Sequence, residues 1–297
     1  MTEASPHEPS PGGTLYLVAT PIGNLADVTL RALDVLRSVP LVAAEDTRIS
    51  RRLLTRHGIA VRTVSFHARN AASRLPELLS HLRSGGDLAL VTDAGTPSIS
   101  DPGDELVRAW SAEGGAVVAL PGASAVTTAV AVAGVAGPRW TFEGFLPRSG
   151  RERKDRLARI AGDERGAVIF EAPGRVAATL NDLAAACGAD RFGTVCRELT
   201  KLHEQVVRGS FGELLAAVRS GEIQARGEFV IVVVAGRADP ASSRPSGADV
   251  HEHARAEVER LVGSGVARGA AARRVAEATG LSRRALYGAR TREAAGN

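Results

Sequence analysis

The chain has 297 residues, 44% hydrophobic and 24% charged, enough for about two globular domains without disulfide staples. Thirty-seven lysines and arginines against 33 acids leave +4, a mild lean toward polyanionic partners that decides nothing alone. Cys187 and Cys196 lie in apolar stretches with no CxxC partner, which argues against a disulfide framework or zinc site and fits a reducing compartment.

In chain order, residues 1–13 are rich in Pro, Ser and Gly and read as a disordered tail, not a signal peptide. Short β-branched runs then alternate with amphipathic helices. Strands are predicted at Thr14–Ala19, Leu41–Glu45, Arg62–Ser65, Asp87–Thr92 and Ala116–Leu120. Helices are predicted between them at Asp27–Ser38, Ser50–His57, Ser73–Ser84 and Asp104–Glu113. This alternation specifies an α/β fold whose parallel sheet is covered on both faces. The uncharged run Ala116–Gly137 is broken by Pro121-Gly122, so it reads as strand, turn and buried helix and not as a membrane span.

Further on, strands are predicted at Thr141–Glu143, Ala167–Phe170, Thr194–Glu198, Glu204–Arg208 and Phe229–Val234, with helices at Glu152–Ala161, Val176–Cys187 and Phe211–Ser220. The short turn Leu199–His203 makes a hairpin, hence a mixed second sheet. Residues 238–250 form a Pro/Ser/Gly linker, and 251–297 a helical tail in helix-turn-helix style, broken at Thr279-Gly280 with Ser282 as an N-cap.

Ligands of open α/β sheets sit beyond the carboxyl ends of strands. Four unusual segments fall there: TPIGN, EDTR, TDAGTPSISDPG and PGAS. Their glycines and short hydroxyl side chains allow close backbone approach to a ligand, although each alone is also an ordinary turn. No GxGxxG follows a strand and no P-loop occurs, so a standard dinucleotide or P-loop site is disfavoured. In EDTR, the Glu45, Asp46 and Arg48 groups could orient a ribose or phosphate; equally, the acids could complement a helix dipole. RELTK holds Glu198 and Lys201, either a functional pair or a solvated hairpin turn. Lys154 and Lys201 are the only lysines, which draws notice to a surviving ammonium. The scattered histidines suggest no metal site.

With these segments in view, the chain resembles the tetrapyrrole methylase family, the class III S-adenosylmethionine-dependent methyltransferases. The matching segments run in order: LVATPIGNLADVTLRAL, AAEDTR, TDAGTPSISDPG, LPGASA, FEGFLPR, RELTK and GEFVIVV, covering about Thr14 to Gly236, with an ALY-containing tail. TPIGN and DAGTP set it apart from the corrinoid and porphyrin methylases, in a branch that acts on ribosomal RNA. The resemblance implies two α/β domains, assigned to 14–122 and 123–237, with S-adenosylmethionine folded in the cleft between them. It also implies a cytoplasmic homodimer with no membrane association. Cofactor contacts are expected from Pro21, Ile22, Gly23, Asp93, Ala94, Gly95, Thr96, Pro97, Ile99, Gly122, Ser124, Ala125 and Phe170. The implied target is the 2′-hydroxyl of a cytidine in the decoding region of 16S rRNA, naked or in the small subunit. One segment departs from the family pattern: IFEAPGR places Phe170 where a Tyr is usual and Gly174 where a His is usual, so neither a phenol nor an imidazole there serves as base.

The expected catalytic set is Lys201, Glu45, Asp46, Arg48 and Glu198. Lys201 either stabilises developing alkoxide charge or acts as base if burial lowers its pKa; the acids accept the proton or fix the ribose. Arg151, Arg153, Lys154 and Arg156 are read as one basic face for phosphates, with an ordinary charged helix surface as the alternative. Arg268, Arg273, Arg274, Arg283 and Arg284 are read as another on the tail, with helices that merely pack on the body as the alternative. The competing functions are a small-molecule methyltransferase acting on a tetrapyrrole, and a DNA-binding regulator that reads duplex through its tail.

Overall fold

The computed structural model describes residues 12–134, 137–235, 257–263 and 266–279. The chain divides into two units, residues 1–236 and 237–297.

In the first unit, β1 (Leu15–Val18), β2 (Leu41–Ala44), β3 (Arg62–Ser65), β4 (Leu88–Val91) and β5 (Val117–Leu120) form a parallel sheet in the order β3-β2-β4-β1-β5. The crossovers carry α1 (Leu30–Ser38), α2 (Thr47–Arg56), α3 (Ala71–Arg83) and α4 (Asp104–Ala112). Strand alternation fills both faces. Leu88 and Leu90 pack with Leu78, Leu82, Leu106 and Trp110, under α3 and α4. Ala89 and Val91 pack with Leu33, Leu36 and Leu54, under α1 and α2. The neighbouring strands β1 and β4 therefore send their chains to opposite faces, and a crevice opens between their carboxyl ends.

The second sheet contains β6 (Trp140–Phe145), β7 (Gly166–Glu171), β8 (Phe192–Arg197), β9 (Gln205–Ser210) and β10 (Phe229–Val233), in the order β6-β7-β10-β8-β9. Only β6 and β7 pair in parallel; the rest is antiparallel, the mixed sheet expected from the hairpin. One face lies under α6 (Gly150–Gly162), α7 (Val176–Cys187) and α8 (Phe211–Ser220). Ser210 and Glu213 form a capping box that starts α8, a device worth about 1 kcal/mol. The other face takes α5 (Ala125–Ala133), whose Val126, Ala129 and Ala133 meet Val168, Cys196, Val230 and Val232. Ile22, from the loop after β1, and Leu199 complete that cluster, so the apolar core itself ties the two sheets together.

Three expectations change. Gly12 and Gly13, read as part of a disordered tail, are packed: Gly13 is buried and donates to the Leu82 carbonyl at 2.8 Å. α2 begins at Thr47, ahead of the predicted Ser50, because Asp46 caps it by accepting from the Arg48 N–H at 2.8 Å. The basic face on α6 does not exist as one face. Arg153 shares the buried stripe with Leu157 and Ile160 and bonds Asp182, Thr179 and the Pro147 carbonyl. Arg156 turns toward Glu143, leaving Arg151 and Lys154 exposed.

In the second unit, helical residues 257–263 and the helix Arg268–Thr279 pack through Val258, Ala271, Ala272 and Val275. Arg273 and Arg274 are exposed, whereas Arg268 pairs with Glu259 at 2.7 Å. The linker 238–250, the break at Thr279-Gly280 and Ser282, Arg283 and Arg284 lie outside the described residues. Among the described residues, no helix is long and apolar enough to cross a membrane, and no group of three or more His, Cys, Asp or Glu could hold a metal ion.

Candidate active site

The crevice between β1 and β4 is closed at its base by backbone. Thr20 and Gly95 exchange two hydrogen bonds of 2.9 Å, and the buried Thr20 hydroxyl donates to the Thr92 carbonyl at 2.9 Å. These bonds clamp the TPIGN loop onto the TDAGTPSISDPG loop. Pro21 and Ile22 are buried, and Gly23 is exposed. The PGAS loop joins from the side: Thr96 Oγ1 donates to the Ala123 carbonyl at 3.3 Å, and Gly122 lies against Ala19. Ser124 starts α5 without using its side chain as a cap. Three of the four predicted loops thus meet at one point. Ser98 (φ 69°) and Ser100 (φ 66°) hold left-handed conformations in the longest loop, a local cost of about 1–3 kcal/mol each that the surrounding bonds must sustain. Ile99 between them stays 43% exposed.

The fourth loop, EDTR, joins through carboxylates. The Asp46 N–H donates to Asp93 at 3.0 Å, and the Asp93 N–H donates to Glu45 Oε2 at 3.2 Å. Asp101 completes the acidic group. Burial, reinforced by the Glu45 carboxylate, pushes its carboxyl up to about 7. Burial and Glu45 also push Asp93 upward. Asp46 behaves oppositely: its bonds to Arg48, with an ion pair of 2.6 Å, hold it down at about 2. Asp46 is therefore a helix cap and partner of Arg48, unsuited to take a proton at neutral pH.

The RELTK turn lies against the TPIGN loop and not in the EDTR group. The Asn24 N–H donates to Thr200 Oγ1 at 3.1 Å. The turn is strained, with Glu198 at φ 51° and the β-branched Thr200 at φ 67°. Lys201 Nζ lies 2.9 Å from Glu198 and 3.0 Å from Glu228, and Glu198 also accepts the Glu228 N–H at 2.9 Å. Burial alone would lower the Lys201 pKa, but the two carboxylates outweigh it and the ammonium is held above its ordinary value. The expectation of a Lys201 base made neutral by burial is thereby overturned. Glu198 is likewise kept ionised: burial opposes this, and the Lys201 bond with the Glu228 amide prevails.

Phe170 is half-buried at the end of β7, in edge contact with Phe142 (centroids 4.9 Å) and Phe145 (5.6 Å). Sequence reasoning passed over Asp101, Phe145 and Glu228. All three stand inside quoted segments, TDAGTPSISDPG, FEGFLPR and GEFVIVV, but the contact of Glu228 with Lys201, 27 residues apart in sequence, had no local signal.

Known proteins share this chain's sequence pattern and fold. Residues 14–215 match the family described as tetrapyrrole (corrin/porphyrin) methylases. A ribosomal RNA small subunit methyltransferase I of Synechocystis sp. is 44% identical over 93% of this chain and 96% of its own length. The protein of the same name from Xylella fastidiosa (strain Temecula1) is 43% identical over 93% of this chain and 98% of its own. A uroporphyrin-III C-methyl transferase from Thermus thermophilus, solved with S-adenyl homocysteine, shares the fold at a TM-score of 0.53 and 19% identity, covering 76% of this chain and 98% of that one. The chain belongs to the tetrapyrrole (corrin/porphyrin) methylase family.

Proposed function

We propose that this chain transfers the methyl group of S-adenosylmethionine to the 2′-hydroxyl of a cytidine in the decoding region of 16S ribosomal RNA. The observation that carries the reading is the meeting of three motif loops at the β1–β4 crevice, with the RELTK turn bonded onto the first of them through Asn24 and Thr200. The long relatives named as small-subunit ribosomal RNA methyltransferases give the substrate class.

The donor set suits a nucleoside with a sulfonium. Short, backbone-rich loops line the crevice, the apolar Ile22 and Ile99 offer an adenine wall, and Glu45 and Asp93 offer acceptors for ribose hydroxyls. Pro21, Ile22, Gly23, Asp93, Ala94, Gly95, Thr96, Pro97, Ile99, Gly122, Ser124, Ala125 and Phe170 form the binding set in this reading. When bound, S-adenosylmethionine supplies an electrophilic methyl group. The protein's task is then to hold the ribose oxygen in line and exclude water. The Lys201 ammonium, fixed by Glu198 and Glu228, stabilises negative charge on that oxygen. The hydroxyl proton passes to a carboxyl of the acidic group, and Asp101, titrating near neutrality, is suited to receive it. Arg48 and Asp46 hold the start of α2 at the rim. Arg273 and Arg274 are the tail cations that meet phosphates in this reading. The enzyme works as a cytoplasmic homodimer with domains 14–122 and 123–237.

Incubation with labelled cofactor and small subunits from a strain lacking the activity tests the proposal. Label should map to one ribose of 16S RNA; label on a base, or none, would refute it.

A further inference from the structure

Aromatic residues are only 4% of this chain, and Phe145 is the one aromatic among the described residues classed as exposed, at 53%. Its position is built by a defect in β6. The pairing of β6 with β7 shifts between Phe142 and Gly144, where Gly144 adopts φ 60°. In a regular strand, residues three apart point to opposite faces. The bulge cancels that alternation, so Phe142 and Phe145 both reach the ring of Phe170, at 4.9 Å and 5.6 Å. The same bulge abuts the loop after β4: a Cβ on Gly144 would fall 3.2 Å from Ser100 Oγ, next in sequence to Asp101. Phe142 and Phe170 also pack on the cluster that contains Ile22 of the TPIGN loop. An exposed ring is thus anchored from behind by two half-buried neighbours and set beside the loops of the crevice.

We propose that Phe145 is the platform on which the base of the target nucleotide stacks, holding its ribose toward the loop that carries Ser100 and Asp101. This rests on the RNA-methylating reading above. An unpaired base splayed from RNA is bound by stacking on aromatic rings, and fixing the base removes the rotational freedom that would let the 2′-oxygen leave the line of attack. Phe145 is a positioning residue, since it touches the base and not the reacting atoms.

The test compares wild type with Phe145→Ala, Phe145→Tyr and Phe145→Trp on unmethylated small subunits. Phe145→Ala should lose on the order of 10- to 100-fold in kcat/KM, the range expected for one stacked base. Phe145→Tyr and Phe145→Trp should stay within about threefold of wild type, since each retains a π-face. Calorimetric affinity for S-adenosylmethionine, thermal midpoint and sedimentation should be unchanged in all three. Wild-type kcat/KM in Phe145→Ala would overturn the proposal, as would equal losses in all three variants or weakened cofactor binding. A reduced oligomeric state in Phe145→Ala would overturn it in favour of a contact between copies of the chain. Failure of the wild type itself to methylate the subunit would instead remove the RNA reading, and this proposal with it.

Discussion

Lys201 lies directly against Gly23: a Cβ placed on the glycine would fall 2.4 Å from Lys201 Cγ and 2.9 Å from Thr200 Oγ1. The loop after β1 and the turn after β8 therefore meet at a point with no room for a methyl group. Gly23→Ala should displace the turn and lower methyl transfer by about tenfold or more, since small misplacements of reacting groups carry large rate penalties. Gly162→Ala, at the end of α6 with open space around it, is the control. Single-turnover methylation of both variants distinguishes the cases; equal rates would mean that this contact does not position Lys201.

The carboxylate pair around Lys201 makes it a fixed cation. Lys201→Ala should cut single-turnover methylation about 100-fold while cofactor affinity stays within about threefold, the pattern of an interaction made mainly in the transition state. Raising pH through neutrality should not mimic the mutation, because the ammonium titrates above its ordinary range. Near-wild-type turnover would remove Lys201 from the mechanism.

Asp101 predicts a pH dependence of stability. Its carboxyl rises from an ordinary 3.8 to about 7 in the folded protein. Between these values the folded state binds the proton more tightly than the unfolded chain, so the associated stability is present below about pH 4 and lost as pH climbs through about 7. Glu45 and Asp93 face the group and add their repulsion to the cost of burial. Asp101→Asn should therefore raise the thermal midpoint at about pH 8 and leave it nearly unchanged near pH 4, while slowing methylation. Melting curves across that range decide it: an equal shift at both ends would contradict the assignment.

Arg153 predicts a stability cost with no RNA phenotype of its own. It is buried and bonds Asp182, Thr179 and the Pro147 carbonyl, and the Thr179 hydroxyl donates in turn to the buried Glu171 at 2.5 Å. Arg153→Ala should cost about 3 kcal/mol, as expected when one member of a buried charged network is removed. Arg151→Ala, at a side chain 94% exposed, should change stability by less than about 0.5 kcal/mol. Denaturant titration of the pair checks this, and equal midpoints would contradict the buried network.

Local pattern carried most of the fold. β3, α7 and α8 coincide with the predicted Arg62–Ser65, Val176–Cys187 and Phe211–Ser220, because each has a clear period and a clean stop. The order β3-β2-β4-β1-β5 was not legible, since pairing partners are set by packing between segments distant in sequence. The buried place of Arg153 is legible in the sequence: its spacing from Leu157 and Ile160 puts it on the inner stripe of α6, where period outweighs charge. The loops of the site were legible as motifs, but their electrostatics were not. The high Asp101 pKa depends on burial and on Glu45 from the loop after β2, and Lys201 keeps its charge because Glu228, just before β10, joins Glu198 beside it. Phe145 was hidden by a bulge, which breaks the alternation that strand reading relies on.

The most direct test is the chemical position of the transferred methyl. Purified chain, labelled S-adenosylmethionine and unmethylated small subunits should yield a single ribose-methylated cytidine in the decoding region, seen by nuclease digestion and mass spectrometry, with Lys201→Ala forming it about 100-fold more slowly. Methyl transfer to a tetrapyrrole with the RNA left unmodified would contradict the account.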